Sequence, residues 1–128
     1  MLKVKTYIAP SSIEGIGLFA DEDIKKDSII WEFDEGFDLK IPKDKLERIS
    51  DIKKAYLMKM GWFQGDELYV CCDNATFINH SETPNISEFC HELFATRDIL
   101  KDEEIVEDYK DMDVKVCKDE SGNITFKI

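Results

Sequence analysis

Cations are scarce in this chain. Its 128 residues carry 17 Lys and Arg against 28 Asp and Glu, a net charge of −11 and a pI near 4.6. Affinity for nucleic acid comes from Lys and Arg displacing counterions, so direct nucleic-acid binding is not expected. Histidine is nearly absent, with only His80 and His91. The four cysteines (Cys71, Cys72, Cys90, Cys117) form no CxxC pair, and two of them are adjacent. A tetrahedral zinc knuckle needs spaced ligands, so no metal is expected, and the cysteines read as small buried hydrophobes in a reducing compartment. No apolar run approaches the roughly 20 residues that cross a bilayer, which gives no reason to expect a membrane. The start "MLKVKTYIAP" lacks a continuous apolar stretch and does not look like a signal peptide. An intracellular location is the expectation, cytoplasmic, or nuclear in a eukaryote.

What remains is ordinary globular material. The apolar fraction of 43% suits one modest core and a single domain over 1–128. There is no internal repeat. "KVKTYIA" alternates and reads as a strand, followed by the short apolar run "GLFA". "DSIIWEF" and "GFDLKI" are rich in β-branched and aromatic residues, and read as strands around an Asp34-Glu35-Gly36 turn. Between residues 42 and 60, Leu46, Ile49, Ile52, Tyr56, Leu57 and Met60 recur every three or four positions. With Pro42 near the start and Gly61 after the end, that spacing predicts one amphipathic helix. "ELYVCC" reads as a strand, 89–95 as another, and "EEIVEDY" as a short strand or turn. Residues 110–128 form a tail that alternates on both sides of Ser121-Gly122-Asn123, as a hairpin would. The pattern predicts a mainly β, β-rich α+β fold with one main helix.

Three stretches carry chemistry. "EGIGLFA" places Gly15 and Gly17 around Ile16, so the backbone can turn sharply or pass close to something bulky. It has neither the third glycine nor the following helix of a dinucleotide fingerprint. "FINHSETPN" sets Asn79, His80 and Ser81 side by side before a Pro84-Asn85 turn. A Ser-His hydrolase is unsupported, since neighbouring side chains of an extended chain point apart and no GxSxG elbow is present. "RDILKDEEIVEDY" ends an acidic run on Tyr109.

In this order the three stretches resemble a SET-domain protein lysine methyltransferase. The resemblance covers about residues 3–110. It implies a fold of small sheets with a C-terminal pseudoknot, in which the Asn-His-Ser chain and the C-terminal segment cross, an exception to the usual lack of threading. It also implies S-adenosylmethionine as cofactor and a lysine entering a narrow channel from the opposite face. By position, Gly15, Ile16 and Gly17 would lie along the methionine end of the cofactor, Asn79 and His80 would flank it, and Tyr109 would be the catalytic tyrosine. Phe126 would stack on adenine if the tail does not simply pack as a strand. The channel would take aromatic rings from Tyr69, Phe77, Tyr56 and Trp62, with Tyr7 and Phe63 as further candidates. The substrate would be a lysine-bearing basic protein such as a histone, drawn by the acidic surface.

The chain departs from the family in several places. Asp102 stands where the family has a glycine, and a left-handed turn is still expected there. There is no cysteine-rich pre-SET segment and no zinc-binding tail. The chain is therefore similar to minimal viral and bacterial SET proteins, some of which work as homodimers. The alternative is a catalytically weak or inactive SET-fold module that binds a partner or cofactor.

Overall fold

The computed structural model describes residues 1–110 in full and, beyond them, the backbone of Lys115–Lys118 and Ile124–Lys127. The first hairpin joins β1 (Thr6–Pro10) to β2 (Ile16–Ala20), pairing Thr6 with Ala20 and Pro10 with Ile16. Alternation along β2 turns Leu18 and Ala20 inward, both fully enclosed, and Gly17 is buried as well. A side chain the size of Leu18 contributes about 1.5–3 kcal/mol when it leaves water.

Two further short sheets surround this core. One has β3 (Ile29–Glu32) beside β9 (Glu92–Ala95), which pairs in turn with β8 (Ile86–Phe89). The other is β4 (Leu39–Pro42), β6 (Glu67–Val70) and β5 (Trp62–Gln64). The turn at Asp34 forms as expected, with the Gly36 amide donating to Asp34 Oδ1 at 2.9 Å. Its flanking strands nevertheless belong to different sheets. Inside the corner, the buried Asp38 carboxylate accepts the amides of Asp34 and Cys72, which joins the two sheets.

The stretch 89–95 is not the single strand the sequence suggests. It is a hairpin whose turn residues, Cys90 (φ 50°) and His91 (φ 64°), are both left-handed. Two positive φ values are the mark of a tight type I′ connection. Glycine and asparagine normally signal it, and neither is present here.

The expected helix is also divided. A short α1 (Lys43–Leu46) stops, and α2 (Asp51–Met60) restarts after Ser50, whose extended backbone and side chain cap the new helix at the Lys53 amide. The restart resets the helical phase. Leu46, Ile49, Leu57 and Met60 still pack with Leu68 and Val70, but Ile52 and Tyr56 rotate to the surface, 85% and 63% exposed.

The last strand of the core, β10 (Glu104–Glu107), lies between β2 and the two-residue β7 (Asn79–His80). It runs antiparallel to β2 and parallel to β7, with Val106 opposite Asn79 and Glu107 opposite His80. Beyond it, β11 (Lys115–Lys118) and β12 (Ile124–Lys127) form the expected antiparallel pair. The Ser121-Gly122-Asn123 turn and the Phe126 side chain lie outside the described residues. Asp102 takes the left-handed conformation expected of it, φ 72°, and accepts the Tyr7 hydroxyl at 2.8 Å. That contact and burial raise the Tyr7 pKa. Among the described residues no helix is long and apolar enough to cross a membrane.

Candidate active site

The site grows from one crossing. Asn85, 1% exposed, clasps β10 from the side. Its Nδ2 donates to the Glu104 carbonyl at 2.8 Å, its Oδ1 accepts the Val106 amide at 2.9 Å, and its own amide donates to the Val106 carbonyl. Ser81 adds a fourth tie through its amide to the Glu107 carbonyl. A carboxamide is the one short side chain that offers an acceptor and a donor to the same peptide edge. The Asn-His-Ser chain therefore interlocks with the segment that follows it by more than twenty residues, as the pseudoknot requires.

Asn79 works in the other direction. Its Nδ2 reaches the carbonyls of Glu14 (3.1 Å) and Ile16 (3.3 Å) and Glu104 Oε1 (3.0 Å), so two protons serve three acceptors. Ser11 Oγ donates to the same Glu104 carboxylate at 2.8 Å. This explains the Gly-Ile-Gly turn locally. Gly15 sits at φ 48°, with nothing within 4 Å of where a Cβ would stand. At Gly17 a Cβ would lie 2.2 Å from Glu104 Oε1, so any side chain there would have to push that carboxylate from its place beside Ser11 and Asn79.

Tyr109 follows two residues after β10. Its amide donates to His80 Nδ1 at 3.1 Å, and its hydroxyl to the Ile78 carbonyl at 2.6 Å. The first bond makes Nδ1 an acceptor and puts any ring proton of the neutral imidazole on the other nitrogen. Asp108 Oδ1 stands 3.6 Å from the same Nδ1. Burial raises the Tyr109 pKa, and the charges of Glu107 and Glu14 raise it further. The phenol thus stays protonated at neutral pH and serves as a fixed hydrogen-bonding group, not a phenolate.

Tyr109 lines a cleft of about 220 Å³, whereas Gly15, Ile16, Gly17, Asn79 and His80 lie outside its lining. Trp31, Trp62, Ile78 and Leu93 give it apolar walls, and Met60 and Gly61 bring the end of α2 to its edge. The polar lining is Lys59, Thr76, Glu88, Glu107 and Tyr109. Cys71 also lines it, and burial, with nearby Asp38 and Asp73, pushes its thiol pKa far up.

Of the expected channel rings, Trp62 is in the wall. Tyr69 stands behind it, stacked on Trp62 at 6.0 Å and on His91 at 5.0 Å, and only 6% exposed. It supports the wall without forming it. Tyr56 projects from the outer face of α2, Phe77 ends a 3₁₀ turn (Asn74–Phe77) away from the lining, Phe63 is 40% exposed, and Tyr7 stacks on Phe19 at the far sheet. Sequence reasoning missed Trp31, which arrives from β3 and meets Trp62 edge-on at 6.0 Å. It also missed Glu107, the last residue of β10, which lines the cleft with Tyr109.

This arrangement defines a class. A SET domain profile matches residues 15–110, and the chain belongs to that family. It is 30% identical over 127 residues to a histone-lysine N-methyltransferase, H3 lysine-4 specific, of Neurospora crassa, and 30% identical over 126 residues to the protein of the same name from Aspergillus oryzae. Each match covers 84% of this chain, which spans only 9% and 10% of those curated relatives. Among solved structures, a Plasmodium falciparum protein provisionally named a histone methyltransferase is 26% identical with a TM-score of 0.60, covering 84% of this chain and 95% of that one. A humanized mutant of the Chaetomium thermophilum Polycomb Repressive Complex 2 shares the fold at a TM-score of 0.65 and 21% identity, covering 84% of this chain and 15% of that one.

Proposed function

We propose that this chain transfers methyl groups to the ε-amine of lysine in a basic protein substrate, with S-adenosylmethionine as the methyl donor. One observation carries the reading: the Tyr109 phenol is pinned to the Ile78 carbonyl in a mainly apolar cleft, beside the turn that Asn79 holds.

The residues present suit such a donor. The space over Gly15 is open, and Ile16 and Tyr109 each leave about half of their side chains exposed, 47% in both cases. Burial first, and then the charges of Glu107 and Glu14, raise the Tyr109 pKa, and negative charge of that kind favours a cationic ligand. Gly15, Ile16, Gly17, Asn79 and His80 would hold the donor, with Phe126 a further candidate from the tail. When bound, S-adenosylmethionine supplies an electrophilic methyl on a positively charged sulfur.

The protein's part is to prepare the amine. A solvated lysine has a pKa near 10.4 and is almost wholly protonated, hence not nucleophilic. The apolar cleft strips water from it and disfavours its charge. Because the Tyr109 hydroxyl spends its proton on the Ile78 carbonyl, its oxygen lone pairs are left to accept an amine N–H and fix the direction of the nitrogen lone pair. Trp31 and Trp62 line the cleft, and aromatic rings there suit a methylated nitrogen. The substrate proposed is histone-like or otherwise lysine-rich, met inside the cell, or in the nucleus of a eukaryote, by a chain of net charge −11 that can also pair as a homodimer.

The test is transfer of radiolabelled methyl to core histones and to cell lysate. We expect label on protein, reduced about 100-fold or more by Tyr109→Phe, in line with loss of one positioned group. Donor binding without transfer to any protein would refute this reading and leave the binding module.

A further inference from the structure

The helix α2 is apolar on both sides. Leu57 and Met60 pack with Leu68 and Val70. On the other side Asp51, Ile52, Ala55, Tyr56, Met58 and Lys59 are all exposed, Ile52 to 85%, Tyr56 to 63% and Met58 to 44%. None of the ten residues of the helix is buried. A helix of that length is marginal in water and draws its stability from packing. One with apolar groups on both sides is suited to cover on both.

The exposed face is self-complementary. Ala55, its smallest residue, stands at the centre, and residues 51, 52, 58 and 59 lie three and four positions to either side, so they surround it on the helix surface. Asp51 and Lys59 mark the two ends, about 12 Å apart along the axis. Rotated by half a turn about Ala55, the face presents a cation where it had an anion. Among the described residues neither of the two is in an ion pair. With one Asp and one Lys the face is neutral, in a chain of net charge −11. It carries none of the excess negative charge that drives two copies apart.

We propose that this face of α2 receives a second copy of the chain, in an antiparallel crossing with its twofold axis at Ala55. In such a contact the same patch serves on both sides. The small Ala55 lets the two backbones approach. Ile52, Tyr56 and Met58 of each copy lose their exposure, and Asp51 of each meets the partner's Lys59, once at each end. A partner charged with one sign would leave Asp51 or Lys59 against a like charge, whereas the reversed face answers both. One ten-residue helix from each side makes a small interface, so the dimer is weak and depends on protein concentration. The contact also bears on the cleft, on the reading that the cleft admits a lysine. Lys59 is part of the cleft lining, and its ammonium repels an incoming one. In the dimer the partner's Asp51 holds that ammonium at the subunit boundary, and a target lysine enters more easily.

The test is sedimentation velocity of the whole chain from low micromolar to millimolar concentration. We expect a monomer–dimer equilibrium in the wild type. Asp51→Lys and Lys59→Asp each set like charges against each other at both ends, and each should weaken the dimer about tenfold or more. An equimolar mixture of the two variants should dimerise again, because each end then joins a Lys to an Asp. Positions 51 and 59 are too far apart to pair within one helix, so recovery on mixing requires contact between chains. Circular dichroism of each variant checks that α2 persists. Tyr56→Ser, at an exposed position outside the helix cap, should weaken the dimer as well without touching a charge. Methyl transfer per chain to a blocked Ala-Arg-Lys-Arg-Ala peptide should rise as the wild type dimerises and stay flat in Asp51→Lys. A wild type that remains monomeric at millimolar concentration, or a mixture of folded variants that does not dimerise, overturns the proposal. A dimer with no accompanying rise in transfer overturns its link to the cleft. A wild type that dimerises through these residues but transfers no methyl to any protein keeps the interface and refutes the methyltransferase reading instead.

Discussion

Replacing Asn85 by alanine tests the crossing on which the site is built. The side chain satisfies the Val106 amide at 2.9 Å and the Glu104 carbonyl at 2.8 Å, at 1% exposure, so water cannot take its place. Leaving a buried amide orphaned costs about 1–3 kcal/mol, and the carbonyl, which has a second lone pair, about 1 kcal/mol more. We expect Asn85→Ala to lose about 3 kcal/mol, a large share of the 5–15 kcal/mol typical of a domain. With a urea slope of about 1.5 kcal/mol/M, the midpoint moves down by about 2 M, followed by fluorescence of Trp31 and Trp62. Asn85→Asp sharpens the test. It keeps an acceptor for Val106 but turns a carboxylate toward the Glu104 carbonyl, so the introduced carboxyl binds its proton more tightly folded than unfolded. The protonated acid can donate as the carboxamide did. The deficit relative to wild type should therefore be smallest below the unfolded carboxyl value of about 3.9 and grow as pH rises through the folded one. A loss under 1 kcal/mol for Asn85→Ala, or a deficit for Asn85→Asp that shrinks with rising pH, would refute the reasoning.

Gly17→Ala should cost about 1–3 kcal/mol, because its Cβ would displace Glu104 Oε1 from Ser11 and Asn79, and the penalty should shrink in a Glu104→Ala background, read by a double-mutant cycle in thermal unfolding. Iodoacetamide followed by peptide mapping should label the exposed Cys72 at least tenfold faster than Cys71, whose burial keeps the thiol protonated. Arg97 donates to Glu103 and, with the Leu100 amide, lowers its pKa, so this mostly exposed pair helps above the unfolded carboxyl value near 4.3 and is lost as pH falls through the lowered folded one. Arg97→Gln should raise the Glu103 pKa by NMR titration and cost less than about 1 kcal/mol at pH 7.

Much of the fold was legible because strands announce themselves by alternation. The first strand, β1, and the C-terminal β11–β12 pairing follow from period two, whereas "GLFA" reads only as an apolar run and does not show its pairing with β1. What failed was local chemistry that hides in ordinary residues. The turn at Cys90-His91 is left-handed without glycine, asparagine or aspartate, so nothing in "EFCHELF" signals a reversal. The division of the helix depends on Ser50 acting as a cap, and a serine among charged residues looks like any other surface position. In the site, Asn79 touches the Gly-Ile-Gly turn and His80 the Tyr109 amide, so the three segments meet. The cleft wall was less visible. Trp31 and Trp62 meet from different sheets, and a periodic pattern describes one strand at a time, not which strand lies across from it. Tyr56 was misplaced for the same reason as the helix, a shift of phase at Ser50.

The parallel pairing of Asn79–His80 with Val106–Glu107 has a consequence for how the molecule comes into being. Contacts so distant in sequence form late, after loop closure has been overcome. A ribosome-bound chain that has just exposed Asn79 holds Trp31, Trp62 and Ile78 of the cleft wall but neither Glu107 nor Tyr109. Only when β10 slides between β2 and β7 is that wall complete. Whatever settles there afterwards holds early and late segments together, so occupancy should raise the melting temperature of the entire fold.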